Sequence, residues 1–243
     1  MVRKMIMDLD ETMIPTNHHY QNALYNFHNF VANTFDDFRY SFDDISDKHI
    51  ERQLELIKEF GFDTEVFANS LKDVYLDIAK EFGVNSVEII SGANIVYNLG
   101  KSVFNEGKWL EAGLYSGVKD TLEFLIDQGA DLEMVTLGDD AMQRKKVEVM
   151  ELSQWFPEDK IHVVLREKYE KIKELSQDRD KKDIYFVGDS YKNDILPSIK
   201  AGINAIYIPR GKILQDEVFD ESHLKITRLA SFSDLRNIYN YLP

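Results

Sequence analysis

Two aspartates stand close together in Asp8-Leu9-Asp10-Glu11-Thr12, directly after the apolar run Met5-Ile6-Met7. A carboxylate can attack phosphorus and hold the transferred group as an acyl phosphate. A second carboxylate two residues on can protonate the leaving oxygen and then activate water for the second step. Thr136 ends another apolar stretch and offers a hydroxyl, with the Leu137 N–H beside it, to a phosphoryl group. Gly188-Asp189-Ser190 closes a third apolar stretch, and Asn193-Asp194 follows it. Gathered in one crevice, Asp8, Asp10, Asp189 and Asp194 would repel one another and take up protons. A hard divalent cation with oxygen ligands relieves that crowding, and magnesium is the natural choice. Magnesium also polarises a phosphoryl oxygen, and a lysine would complete the charge stabilisation.

Such residues work together only if strands deliver them to one place. Met5–Met7 reads as a short buried strand, and Pro15 then stops regular structure. From about His18 to Asn105 the spacing of apolar residues predicts four amphipathic helices, over about 18–35, 48–60, 65–82 and 87–104. The last is expected to be interrupted near Gly100. From Gly117 onward the texture alternates: helix at 119–128, strand at 131–135, helix at 142–152, strand at 161–165, helix at 168–176 and strand at 184–187. A helix at 195–201, a strand at 204–208, a short strand at 225–227 and a helix at 233–242 complete the chain. Strand and helix in alternation imply βαβ units on a parallel sheet, with ligands bound beyond the carboxyl ends of the strands. The expected fold class is α/β: a Rossmann-like parallel-sheet core, residues 1–15 and 114–243, with an all-helical cap domain, residues 16–113, inserted after the first strand.

Asp8-x-Asp10-x-Thr12, Thr136 after a strand, a lysine, and Gly188-Asp189-Ser190-x-x-Asn193-Asp194 closely resemble the four motifs of the haloacid dehalogenase-like (HAD) superfamily. A helical insertion between the first and second motifs resembles the cap called type C1. The resemblance implies Asp8 as nucleophile and Asp10 as general acid/base. It implies magnesium held by Asp8, the Asp10 backbone carbonyl and Asp189, with Asp194 behind them or on the lysine, and Thr12 and Asn193 in support. Lys168, just after the 161–165 strand, is the expected lysine, although the family's usual Lys-Pro does not occur; Lys171 is the second choice. Lys145 and Lys146 read as solvated charges on the preceding helix, and Glu11 is assigned no role. Family members that attack carbon usually lack the second aspartate, so Asp10 points to phosphorus.

Asp-x-Asp-x-Thr alone is a common loop pattern; the Gly-Asp-Ser-x-x-Asn-Asp string is the more specific part. His18 and His19 point about 100° apart on a helix, which disfavours joint chelation, but they open the insertion and are candidates for substrate contact. Trp109 and Tyr115 could line the pocket, with packing the favoured reading. Phe35, Phe38, Tyr40 and Phe42 read as core of the helical insertion.

The composition narrows the function further. The chain of 243 residues has 43 acidic against 29 basic residues and no cysteine. That balance argues against a nucleic-acid partner, and the missing thiols exclude disulfides, thiolate metal sites and a cysteine nucleophile. No apolar run approaches the ~20 residues of a membrane span, and the first residues hold too short an apolar stretch for a secretory signal. Cytoplasmic residence is the default expectation. The expected partner is a small phosphorylated metabolite, and the expected reaction is magnesium-dependent hydrolysis of its phosphate ester. A phosphomutase with the same core, or a HAD-fold binding protein without turnover, are the alternatives.

Overall fold

The computed structural model describes residues 2–35, 39–84, 86–210 and 226–242. The chain divides into two compact units, Met1–Thr16 with Trp109–Pro243, and Asn17–Lys108.

The first unit is built on a six-stranded sheet in the order β3-β2-β1-β4-β5-β6. Its strands are β1 (Lys4–Met7), β2 (Asp131–Leu137), β3 (Ile161–Val164), β4 (Ile184–Gly188), β5 (Asn204–Tyr207) and β6 (Ile226–Arg228). Every neighbouring pair runs parallel. β1 and β4 lie between partners on both sides, and all their residues are buried. A strand covered on both faces needs an unbroken apolar run, which is why Met5-Ile6-Met7 and Ile184–Val187 show no alternation. Strand order reverses between β1 and β4, and in open sheets the ligand crevice opens at such a point, beyond the carboxyl ends. On one face Ile6, Val135 and Phe186 pack with Ile172 of the helix Tyr169–Leu175 and with Ala201 of the helix Leu196–Ala201.

The second unit holds the helices α1 (Asn17–Phe35), α2 (Phe42–Phe60), α3 (Thr64–Glu81) and α4 (Ser86–Lys101). Their shared core includes Phe27 and Val31 of α1, Ile45 of α2, Leu71, Tyr75 and Ile78 of α3, and Val96 of α4. Several boundaries differ from expectation. Helix α2 begins at Phe42, six residues before the expected start. Ser41 and Asp44 form a reciprocal cap, with Ser41 Oγ accepting from the Asp44 N–H at 3.1 Å and Asp44 Oδ2 from the Ser41 N–H at 2.8 Å. Helix α4 ends at Lys101, one residue past Gly100, and a 3-10 turn over Ser102–Phe104 follows, in keeping with the expected break; a Cβ at Gly100 would lie 2.5 Å from the Ala68 backbone, so the glycine lets α4 pass close to α3. Between the fourth and fifth expected helices lies a further short helix, α5 (Glu106–Ala112). The expected C-terminal helix is broken into turns around α10 (Leu235–Ile238). Phe38, expected in the aromatic core, and Lys225, expected in the last strand, lie outside the described residues; Phe35 stacks on Phe82 with ring centroids 4.7 Å apart. Among the described residues no helix is long and apolar enough to cross a membrane.

His49 of α2 is 2% exposed, sits edge-on to Phe67, and neither ring nitrogen has a hydrogen-bond partner among the described residues. Burial pushes its pKa down to about 4. An unfolded chain takes up this proton near pH 6.5, so the unfolded state binds more protons between the two values. The His49 contribution to stability is therefore present above pH 6.5 and is lost as pH falls toward 4. His49→Leu is expected to gain roughly 3 kcal/mol over wild type between pH 7 and pH 4. Urea unfolding of both chains at the two pH values measures it, and a constant difference between them would rule the effect out.

Candidate active site

Asp8 is the first residue past β1, and its N–H still donates to Val187 O of β4 at 2.9 Å. The strand pairing thus aims the Asp8 side chain into the space between the ends of β1 and β4. At the end of β4 the chain turns back on itself. Ser190 Oγ accepts from the Asn193 N–H at 3.1 Å, and the wide turn Tyr191–Ile195 carries Asp194 back toward the strand end. There Asp194 Oδ2 accepts from the Ser190 N–H at 3.0 Å. Gly188 makes this possible, because a Cβ in its place would lie 2.4 Å from Asp194 Oδ2.

Lys168, at the start of the helix α8 (Tyr169–Leu175), reaches the same point and is 2% exposed. Its Nζ donates to Asp8 Oδ1 and, at 2.7 Å, to Asp194 Oδ1. Lys171 instead pairs with Glu174 at 2.6 Å on the outer side of α8. Thr12, fully buried, places its hydroxyl 3.3 Å from Asp8 Oδ2 and 3.4 Å from Asp189 Oδ1. One carboxylate oxygen from each of Asp8, Asp189 and Asp194 lies within 4.8 Å of the others. Three strand-end carboxylates facing one ammonium leave a net negative cluster, and an oxygen-only donor set of this kind suits a hard divalent cation.

The electrostatics show the strain of that crowding. Burial pushes the Asp8 carboxyl up; the Lys168 ammonium pulls it down, and Asp194 and Asp10 push it up again. Burial, with the charges of Asp194 and Asp8, holds Asp189 well above the usual carboxylate range. Burial alone would lower the Lys168 ammonium, but the carboxylates of Asp194 and Asp8 outweigh it and hold it above its ordinary value.

Thr136, near the end of β2, is buried, and Leu137 follows it half-buried. Asp10, half-buried, is held from α7 (Asp140–Val149). Here the reading of Lys146 as a solvated charge is overturned. Lys146 is 3% exposed and its Nζ lies 2.8 and 2.7 Å from the two Asp10 oxygens. Lys145 does lie on the outer face, paired with Glu148. Gln143, absent from the sequence reading, is also buried, and its amide nitrogen lies within hydrogen-bond distance of Asp10, Thr136 and Leu137 O. Glu11, to which the sequence assigns no role, makes structural contacts. Glu11 sits at φ 58°, and its carboxylate accepts from Thr16 and, at 2.8 Å, from the Tyr115 hydroxyl, joining two distant stretches of the first unit. Tyr115 in turn lies under the Arg210 guanidinium, 3.9 Å from the ring centroid. Trp109 is buried, and His18 and His19 open α1 with ring centroids 3.7 Å apart, the first exposed and the second buried.

The arrangement has relatives. Structures similar to this chain include a haloacid dehalogenase-like family hydrolase from Xanthomonas campestris, with a TM-score of 0.76, 17% identity, and coverage of 99% of this chain and 91% of that one. A predicted phosphoglycolate phosphatase from Haemophilus somnus has a TM-score of 0.63 and 17% identity, covering 98% of each chain. A 2-haloacid dehalogenase from Pseudomonas syringae has a TM-score of 0.56 and 17% identity, covering 100% of each. At such identities the likeness is one of fold. No curated protein matches the chain significantly in sequence. The family model for haloacid dehalogenase-like hydrolases matches residues 5–202, from the first strand to the glycine after the last motif. The chain therefore belongs to the haloacid dehalogenase-like hydrolases.

Proposed function

We propose that this hydrolase cleaves a small phosphate monoester through a phospho-aspartyl intermediate on Asp8. The observation that carries the reading is Asp10, a second carboxylate two residues from Asp8, which the Gln143 amide links to Thr136. Displacing a halide from carbon needs no proton donor, because halide leaves as a stable anion. An alkoxide leaving from phosphorus does need one, and we assign that role to Asp10.

In the first step an Asp8 oxygen forms a bond to phosphorus while the bond from phosphorus to the ester oxygen breaks. Asp10 gives its proton to that oxygen, and the alcohol departs. In the second step Asp10, now a carboxylate, takes a proton from water, whose oxygen attacks phosphorus. The bond to Asp8 breaks, inorganic phosphate leaves, and both aspartates return to their starting forms. The Thr136 hydroxyl, the Leu137 N–H and the Lys168 ammonium hold the phosphoryl oxygens throughout. Asp8 and Asp189 would hold magnesium, with Asp194 bracing Lys168 beside them. The bound cation supplies positive charge that offsets the carboxylates and stabilises the phosphoryl oxygens.

The test measures phosphate release from an aryl and an alkyl phosphate, with magnesium and with chelator, beside halide release from a 2-haloacid. Magnesium-dependent phosphate release without halide release is expected. Halide release with no phosphate release would overturn the reading.

A further inference from the structure

The α7 contacts to Asp10 go beyond the roles carried by the four motifs. We propose that Gln143 and Lys146 are positioning residues, a clamp that fixes the Asp10 carboxylate and leaves the Thr136 hydroxyl proton free for the phosphoryl group. The inference deepens the phosphatase reading and rests on it.

Gln143 and Lys146 are three residues apart on α7 and so share a face. Both are buried, at 2% and 3% exposure, although their side chains are strongly hydrated when free. Burying such groups is unfavourable unless each polar atom is matched, and here the match is Asp10. Lys146 Nζ is nearly equidistant from both Asp10 oxygens, 2.8 and 2.7 Å, which fixes the rotation of the carboxylate plane as well as its position. The buried Trp109 ring lies beside the same ammonium, 5.6 Å from its centroid.

The Gln143 amide nitrogen faces three oxygens: Leu137 O at 2.7 Å, Thr136 Oγ1 at 2.8 Å and Asp10 Oδ2 at 2.9 Å. A carbonyl and a carboxylate only accept, so the amide must present its N–H groups here and not its oxygen. The amide has two hydrogens for these three oxygens, so Thr136 Oγ1 accepts through a hydrogen shared with one of its neighbours. Its own proton is not needed by Asp10, which already has Lys146 and Gln143, and it is left to point at an incoming phosphoryl oxygen. The loop is shaped for this amide. Gly138 has φ 147°, and a Cβ there would lie 2.9 Å from Gln143 Cγ and 3.1 Å from Cδ. A side chain at position 138 would push Gln143 off all three partners.

The proton that Asp10 passes on takes the place of one of these contacts, and the orientation kept by the others matters most when the leaving group is poor. An aryl oxide departs readily without help, whereas an alkoxide depends on Asp10. Lys146→Met is therefore expected to lower kcat about 100-fold on an alkyl phosphate and less than about 10-fold on an aryl phosphate, with KM changed less than about 3-fold. Lys146→Arg restores a charge for the carboxylate and should recover most of the loss. Gln143→Leu removes no charge and should separate the two substrates in the same direction, which keeps the test alive if Lys146→Met does not fold. Equal losses on both substrates, or losses confined to KM, overturn the clamp while leaving the phosphatase reading intact. A wild-type chain that releases phosphate from neither ester overturns the phosphatase reading and the clamp with it.

Discussion

Asp8→Asn is expected to lower phosphate release by at least about 10⁴-fold while leaving the fold intact. The amide has nearly the shape of the carboxylate, so packing at the end of β1 is kept. Its oxygen is a poor nucleophile, and the neighbouring Asp194 carboxylate is already tied to Lys168 and to the Ser190 N–H. Removing the charge also relieves a buried site. Asp8 is raised by its burial and by Asp194 and Asp10, and Lys168 keeps its contact with Asp194 at 2.7 Å after the change. The melting temperature without magnesium is therefore expected to hold or rise by a few degrees, the usual sign of a residue kept for reaction at the expense of stability. Phosphate assays and thermal melts give both numbers. Acid-quenched protein examined by mass spectrometry should carry a phosphoryl adduct in wild type and none in the variant. A variant retaining more than about 1% of wild-type turnover would remove Asp8 from the nucleophile's place.

How much of this site is legible in the sequence depends on the kind of constraint each residue answers to. Asp8 and Asp189 stand at the ends of continuous apolar runs, so local pattern alone marks them as strand-end carboxylates. Lys168 was expected from its place just after a strand, and its burial between Asp8 and Asp194 is a spatial fact that place does not reveal. Lys146 shows the limit. A lysine on an amphipathic helix beside Lys145 reads as solvated, and what reverses that is a partner far away in the chain, Asp10. Gln143 carries no charge pattern to flag it, and its three acceptors come together only when β1 and β2 lie side by side. The Glu11 position has the same character, since Thr16 and Tyr115 meet it only in the folded chain. The early start of α2 was readable, because Ser41-x-x-Asp44 is a capping signal of local origin. Local signals were available for strands, caps and strand-end residues, while side chains that choose between water and a distant carboxylate needed the topology.

That distinction makes Lys168 the sharper probe of the two lysines, because it faces two carboxylates and is almost wholly buried. Lys168→Met should lower kcat by roughly 10³-fold, since the methionine keeps the volume but offers no donor to the phosphoryl group. It should also destabilise the metal-free protein by about 3–5 kcal/mol, because breaking a buried pair leaves the other charges uncompensated. Here the remaining charges are Asp8 and Asp194, with Asp189 close by. The two effects separate when magnesium is added. A cation held by these carboxylates would replace the missing positive charge, so the melting temperature of the variant should rise more with magnesium than that of wild type, while turnover stays low. If the variant melts like wild type without magnesium and gains nothing from it, the carboxylates at the ends of β1 and β4 do not form one charged site, and the cation would have to be sought elsewhere in the chain.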